Sequence, residues 1–268
     1  MLHVDLLGVP SGHQEEKTMS KRFGPTRQLG AMVFALVATL AMWGLSAFAQ
    51  ADDMGMPEEE VAHPFFTHMG VPEGVGVYNL RLAGLAARID GTTDGDFAFH
   101  FETGLTSFIG LHVRNDRFLT NRRTEAMFQF AAVRSKNGMS GFSPIIEFEI
   151  PTRSGDGSRI NTLVGFSSAA SNSRASFNQV LHYNPREDMV DGSASFVVRI
   201  GERFYPVVEV LAEAMRGDKP IVNVLLGLKV RVNKVLLLGV AIQLPTTDRE
   251  DFASQMVFQP DMEWKRKH

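Results

Sequence analysis

Histidine and carboxylate residues alternate with apolar residues along two neighbouring stretches of the chain. His100 and Glu102 lie two positions apart, and His112 and Arg114 repeat that spacing. Two imidazoles and a carboxylate form a common ligand set for transition metals, and imidazoles exchange protons near neutral pH. If two antiparallel strands are joined by a turn over residues 105–107, His100 should face His112, with Glu102 one pair along. The alternative is that these side chains are the polar lining of a lumen.

A second group of potential ligands precedes these stretches, between residues 50 and 73. It comprises Met54, Met56, His63, His68 and Met69. Thioether and imidazole ligands suit copper, but the spacing follows no fixed ligand pattern. We therefore expect no metal and no cofactor. The histidines that remain as candidate metal ligands are His100, His112, His63 and His68.

Sequence motifs of hydrolases and nucleotide-binding enzymes are absent. The chain has no cysteine, and neither Gly138–Gly141 nor Gly165–Ser168 completes a Gly-x-Ser-x-Gly pattern. No His-Glu-x-x-His occurs, and Gly74 and Gly76 lack the third glycine of a dinucleotide-binding loop. We expect a protein without catalytic activity.

The N-terminal residues have the pattern of a secretory signal peptide. Basic residues precede an apolar run of about 15 residues, Ala31–Leu45, which is followed by small residues. A single transmembrane anchor is the alternative, but a spanning helix needs about 20 apolar residues. We predict cleavage after Ala49, and Met19 is a second candidate for the start of translation.

Composition excludes several classes of protein. With 44% hydrophobic and 21% charged residues, the chain is expected to fold. A formal net charge of −3 argues against a nucleic-acid partner. A mean hydropathy of −0.05 argues against a membrane protein of several helices. It permits a membrane β-barrel, whose strands need only every second residue to be apolar.

From residue 74 onward the hydrophobic pattern has a period of two. In Val222–Val232 the even positions are large aliphatic residues, whereas the odd ones include Asn223, Lys229 and Arg231. A strand places these two sets on opposite faces, whereas a helix would leave no continuous apolar stripe. Reading turn residues as breaks predicts about twelve long strands, with long connections after odd strands and tight turns after even ones. The predicted long connections include residues 90–94 and 184–192.

A closed antiparallel up-and-down transmembrane β-barrel and a soluble two-sheet sandwich share this alternation. The export signal, the strand length, the even count and the two kinds of connection favour the barrel. We therefore predict a signal peptide over residues 1–49, a periplasmic N-terminal extension over 50–73, the barrel over 74–264 and a basic tail over 265–268. The predicted location is the outer membrane of a Gram-negative bacterium.

The polar face of such a barrel lines its lumen. Both signs of charge are present there, so cross-strand pairs such as Glu149 with Arg159, and Glu147 with Asn161, predict a narrow or plugged pore. The predicted lumen-lining residues are His100, Glu102, His112, Arg114, Glu125, Gln129, Glu147, Glu149, Arg159, Asn161, Arg199, Glu209, Glu213, Asn223, Lys229, Arg231 and Gln243.

Three stretches, Gly74–Tyr78, Gly141–Phe148 and Leu238–Pro245, resemble a family of outer-membrane barrels associated with the meta-cleavage pathway of phenol degradation. The resemblance covers residues 74–264. It implies a passive channel or transporter for small compounds, including hydrophobic or aromatic ones. The chain departs from many outer-membrane barrels because Trp264 is followed by a basic tail rather than ending the sequence.

The expected partners follow from this architecture: outer-membrane lipid, the barrel-assembly machinery and a small-molecule solute. Two other functions stay open at this point. One is a structural or partner-binding barrel with an occluded lumen, and the other is a soluble periplasmic sandwich that binds a ligand.

Overall fold

A computed structural model describes residues 61–89, 92–119, 123–136, 138–152, 159–247 and 254–266. The predicted signal peptide, the predicted start at Met19 and residues 50–60 of the predicted extension lie outside these ranges. Among the residues that are described, no helix is long and apolar enough to cross a membrane.

The described residues form one thirteen-stranded sheet. Its strands are β1 (Val77–Ile89), β2 (Thr92–Gly104), β3 (Ile109–Asn115), β4 (Arg123–Phe130), β5 (Val133–Arg134), β6 (Gly141–Pro151), β7 (Asn161–Ser171), β8 (Ala175–Asn184), β9 (Met189–Val198), β10 (Phe204–Met215), β11 (Ile221–Arg231), β12 (Leu236–Pro245) and β13 (Gln255–Lys265).

The sheet closes on itself. Apart from β4 and β5, consecutive strands pair antiparallel. β1 pairs with β13 from Val77 opposite Lys265 onward, and β4 pairs with β6. The two-residue β5 only extends the edge of β6 within the β4–β6 connection. The remaining twelve strands form the wall, which confirms the predicted up-and-down barrel of about twelve strands.

The two faces of the wall have opposite character. Outward-facing Val240, Phe258 and Leu226 are 56%, 53% and 46% exposed. Inward-facing Asn79 and Arg81 are fully buried. All strands of the described residues belong to this one closed sheet, so no second sheet among them covers the apolar face. The sandwich alternative is wrong, and the exposed apolar surface is the kind that lipid covers.

Aromatic side chains flank this apolar surface where the first and last strands meet. Tyr78 and Trp264 occupy opposite positions on β1 and β13, and their rings stack with centroids 5.8 Å apart. Membrane barrels carry girdles of such amphipathic rings at the height of the lipid headgroups.

The predicted contrast between long and short connections is weaker than expected. The loop predicted over residues 90–94 is nearly absent, because β1 continues to Ile89 and β2 begins at Thr92. A second predicted loop, 184–192, is shortened because β9 begins at Met189. Polar residues at strand ends can continue a ladder beyond the lipid, so polarity alone made the predicted loops too long.

Candidate functional site

Residues 61–73 fill the lumen of the barrel. Every residue of this segment is buried, and Phe65 and Thr67 are 0% exposed. The prediction of a periplasmic extension over 50–73 is wrong for this part. We call residues 61–73 the plug. The lumen is filled by the plug, and not by the pairing between wall residues on which the prediction of a narrow or plugged pore rested.

The plug enters and leaves at one end of the barrel. Val61 and Glu73 line a cavity of about 220 Å³ together with Val77 and Lys265, the residues at which the barrel begins and ends. Phe66 and His68 instead border a cavity near the opposite end. The plug is therefore a loop whose apex, residues 65–68, lies deep in the lumen and whose two ends lie towards the chain termini.

A single carboxylate, that of Glu209 on β10, holds the apex. It accepts hydrogen bonds from the backbone N–H groups of Phe65, Phe66 and Thr67 and from the Thr67 hydroxyl. The Phe66 and Thr67 nitrogens lie 3.0 and 2.9 Å from Glu209 Oε2. A fully buried carboxylate needs such partners, because burying an unpaired charge costs several kcal/mol.

Side chains of the wall also donate hydrogen bonds to the carbonyl groups of the plug. Arg81 Nη1 and Lys229 Nζ donate to the Pro64 carbonyl at 2.9 and 3.0 Å, and Gln259 donates to the Phe65 carbonyl at 3.0 Å. Further down, Gln129 donates to Met69 at 2.8 Å, and the Gly70 N–H donates to Asn178 at 3.1 Å. A segment without secondary structure can remain buried only where its backbone is satisfied in this way.

Phe65 packs into a recess made by two glycines of the wall. A Cβ atom at Gly227 would come within 2.4 Å of the Phe65 ring, and one at Gly239 within 2.7 Å. The Lys229 ammonium also lies 4.8 Å from the centre of that ring. Only residues without side chains fit at these two wall positions beside the ring.

An ionic cluster surrounds Glu102 on β2. Its carboxylate pairs with Arg81, and its Oε2 lies 3.3 Å from His63 Nδ1. The other ring nitrogen of His63 lies 3.3 Å from Glu73. Burial lowers the pKa of His63, but the Glu73 and Glu102 carboxylates outweigh it and raise that pKa from 6.5 to about 10. His63 is thus held as a cation between two acids.

His68 and His112 meet on the other side of Glu102. Their Nδ1 atoms lie 3.1 Å apart, and His112 Nδ1 lies 3.2 Å from Glu102 Oε1. Burial, and then the positive charge of Arg114, lowers the pKa of His68 well below its ordinary value. This environment favours the neutral imidazole of His68, the form that can bind a metal or accept a proton.

Above the apex lies a vestibule of about 300 Å³, near the end of the barrel opposite Val77 and Lys265. Phe66 and His68 form part of its lining on the plug side. The wall residues around it carry both signs of charge and include Arg114, Arg117, Glu125, Asp191, Glu213 and His182, with Leu211 and Ile221 as apolar neighbours.

The inward face agrees with the sequence-based prediction at most positions. The predicted lumen residues that are buried are His100, Glu102, His112, Gln129, Glu147, Asn161, Glu209, Asn223, Lys229 and Gln243. Those that are half-buried are Arg114, Glu125, Glu149, Arg199, Glu213 and Arg231.

Two of the predicted lumen positions need correction. Arg159 is exposed and lies before β7, so it does not line the lumen. The Arg199 side chain donates to the Gly201 carbonyl in the β9–β10 turn at 3.1 Å, which places it at the rim.

The predicted registers are also wrong by two residues. His100 lies opposite Arg114, and His112 lies opposite Glu102, because five residues, 105–109, separate the last pair, Gly104 and Gly110, instead of the three expected over 105–107. Likewise Glu149 faces Asn161 rather than Arg159, and Glu147 faces Leu163 rather than Asn161. A shift of two keeps each side chain on its face, so the inward assignments survive while the pairs change.

Several residues of the site were missed by sequence reasoning. Arg81, Asp261 and Gln259 are buried inward and hold the plug or its partners, and each alternates with apolar neighbours that could have revealed it. The plug itself gives no periodic signal, since it is neither helix nor strand.

Comparison with known proteins supports the architecture. No family model matches the chain, and no curated protein matches it. Among solved structures, the KdgM porin is similar with a TM-score of 0.51 at 10% identity, over 70% of this chain and 99% of that one. The NanC porin follows at 0.48 and 10%, over 70% and 100%, and outer membrane phospholipase A from Escherichia coli at 0.48 and 13%, over 77% and 95%. The fold is that of an outer-membrane β-barrel.

Proposed function

We propose that this protein is a passive outer-membrane channel for small compounds, closed by its own plug. The observation that carries the proposal is the pair of cavities on either side of the plug, the vestibule at one end and the cavity of about 220 Å³ at the other. Together they mark a path through the barrel that residues 61–73 interrupt. With the chain termini in the periplasm, the vestibule faces the outside of the cell.

The contacts that hold the plug suit a reversible closure. Glu209, Arg81 and Gln259 hold the plug through hydrogen bonds to its backbone. If the plug leaves, water that enters the lumen can solvate these groups. Opening therefore leaves no charged group buried without a partner. A plug held by apolar packing alone would instead expose hydrocarbon to water.

The vestibule supports a small solute of mixed character. Its volume of about 300 Å³ lies at the low end for small-molecule sites, and charged residues of both signs surround the apolar Phe66 and Leu211. The resemblance to barrels associated with phenol degradation adds hydrophobic or aromatic compounds as the solute class. We propose the barrel-assembly machinery and outer-membrane lipid as the remaining partners.

Single-channel recording in planar bilayers tests the proposal. The mature chain should conduct poorly, whereas a variant lacking residues 61–73 should open a stable conductance and admit small aromatic acids in vesicle-swelling assays. Deletion of residues 51–60, which keeps the plug, is the matched control and should leave conductance low. Heat-modifiable gel mobility establishes that each variant has folded.

The alternative is a structural or partner-binding barrel, which the occluded lumen also favours. It predicts that the variant without residues 61–73 folds and stays closed to solutes. That outcome would replace the channel proposal with the alternative.

We further propose that the protein is not an enzyme. The buried His182 lies 3.3 Å from a carboxylate oxygen of Glu147 and of Asp191, and its contacts among the described residues include no serine. A serine hydrolase would instead pair an imidazole with a nucleophilic hydroxyl. Phospholipid release by the purified barrel, abolished by replacing one serine, would contradict this.

A further inference from the structure

Three side chains converge where the plug meets the wall. His68 on the plug, Glu102 on β2 and His112 on β3 are at most 1% exposed. The two Nδ1 atoms lie 3.1 Å apart, and Glu102 Oε1 lies 3.5 Å from that of His68 and 3.2 Å from that of His112. We propose that these three residues bind a divalent transition-metal ion of the zinc type, which joins the plug to the barrel wall.

The spacing of the three atoms fits such an ion. The triangle they define has its corners about 1.9 Å from its centre, so an ion about 0.8 Å out of its plane is about 2.05 Å from each atom. Zinc bonds to imidazole nitrogen and carboxylate oxygen have lengths of about 2.0–2.2 Å. Two imidazoles and one carboxylate also suit other divalent first-row metals.

A hydrogen bond to Gln129 fixes a proton of His112 on Nε2, the ring nitrogen that faces away from the triangle. Gln129 donates through its Nε2 to Met69 O and Ser167 Oγ, so its Oε1 faces His112 Nε2 at 3.0 Å. His112 must therefore carry a proton on Nε2, and in the neutral form of the ring Nδ1 then has a lone pair that can bind a metal. Metal-binding histidines commonly have their second nitrogen fixed in this way by an outer acceptor.

Hydrogen bonds alone leave this triangle unsatisfied. A proton on His68 Nδ1 can serve one of its two neighbours, and the lone pair of His112 Nδ1 then still faces Glu102 Oε1 at 3.2 Å. A cation at the centre satisfies all three atoms. Arg81 hydrogen-bonds the same oxygen, but a carboxylate oxygen has two lone pairs and can accept a donor and a cation together.

Acids outnumber bases among the buried groups of the lumen. Among the described residues, the charged groups that are buried comprise five acids and two bases. They are Glu73, Glu102, Glu147, Glu209 and Asp261 against Arg81 and Lys229. His68 also borders the vestibule, which gives an ion a route to the site from outside the cell.

Metal binding can be measured without any assay of transport, so this inference stands or falls separately from the channel proposal. The full mature chain is folded in detergent, stripped with a chelator and titrated with Zn²⁺ by calorimetry and with Co²⁺ by visible absorption. We expect one ion per chain and the absorption bands of Co²⁺ in a nitrogen and oxygen site. The variants His68→Gln and His112→Gln should each weaken affinity at least tenfold.

Two further variants separate a metal site from a general effect on the lumen. Gln129→Leu removes the acceptor that fixes the His112 proton and should weaken binding by about 10- to 100-fold. His182→Gln alters a buried histidine outside the triangle and should leave affinity unchanged. Heat-modifiable gel mobility confirms that each variant has folded. If the wall variants do not fold, the result for His68→Gln decides the test, because this variant changes no strand residue.

Two results would overturn the inference. One is a folded, chelator-treated protein that takes up neither Zn²⁺ nor Co²⁺. The other is uptake that His68→Gln and His112→Gln leave as strong as in the unaltered chain, which would assign the ion to a different site.

Discussion

The carboxylate of Glu209 accepts hydrogen bonds from both the backbone N–H and the hydroxyl of Thr67, at 2.9 and 3.0 Å. Both residues are 0% exposed. Three consecutive N–H groups of the plug point at this one carboxylate, so the shape of the plug apex and the charge on β10 depend on each other. Loss of the charge should therefore affect the whole plug rather than one contact.

Glu209→Gln should release the plug. A hydrogen bond to a charged group contributes about 1.5–3 kcal/mol, and the amide would turn its own N–H group towards donors. We expect plug docking to weaken by about 2–4 kcal/mol, conductance to rise and protease to cut within residues 61–73. The matched control is Glu213→Gln, on the same face of β10 but at the vestibule. Unchanged conductance and protection in Glu209→Gln would contradict the role given to Glu209.

Gly239→Ala should displace Phe65, because the new Cβ would lie 2.7 Å from the ring. Overpacking of this kind costs about 1–3 kcal/mol, which urea unfolding of the vesicle-inserted barrel would measure. Combined with Phe65→Ala, the glycine substitution should cost almost nothing further, since the clash is gone. Gly84→Ala is the control, because a Cβ there meets no atom within 4 Å. Additive costs in the double variant would mean that Phe65 does not occupy this recess.

Lys229→Met should destabilise the barrel more than the double variant Lys229→Met/Asp261→Asn. Lys229 Nζ lies 3.1 Å from Asp261 Oδ2, and both residues are fully buried. Removing one partner leaves an uncompensated charge at a cost of about 3–5 kcal/mol, whereas removing both charges avoids most of it. Asn79 donates to Asp261 Oδ1 at 2.8 Å, and the side-chain oxygen of an asparagine at this position can accept the same hydrogen bond. Equal losses of unfolding free energy in the two variants would show that the pair is not coupled.

The barrel was predictable from sequence because its causes are local and periodic. Alternation in β11 assigns Leu226 outward and Lys229 inward without reference to any other strand. Register is harder, since it depends on the length of each turn. Two extra residues between the last paired positions of β2 and β3 were enough to pair His112 with Glu102 instead of His100.

The plug was not predictable, because its burial depends on partners far away in the sequence. Phe65 is buried by Gly227 and Gly239, and Thr67 is held by Glu209, more than a hundred residues later. No sequence pattern within residues 61–73 predicts those contacts. The inward-facing glycines and the excess of inward-facing acids indicate that a protein segment occupies the lumen. They do not identify that segment.

Charge placed on the outer face should reveal the lipid directly. Val240, in the middle of β12, is 56% exposed and pairs with Phe258, which is also exposed. Val240→Arg should cost about 2–4 kcal/mol of folding free energy in vesicles, because arginine near the bilayer midplane loses its hydration. Val232→Arg, in the β11–β12 turn, carries the same change at a comparable exposure and should cost at most about 1 kcal/mol. Urea titration of the vesicle-inserted barrel measures both, and equal costs at the two positions would mean that no hydrocarbon covers β12.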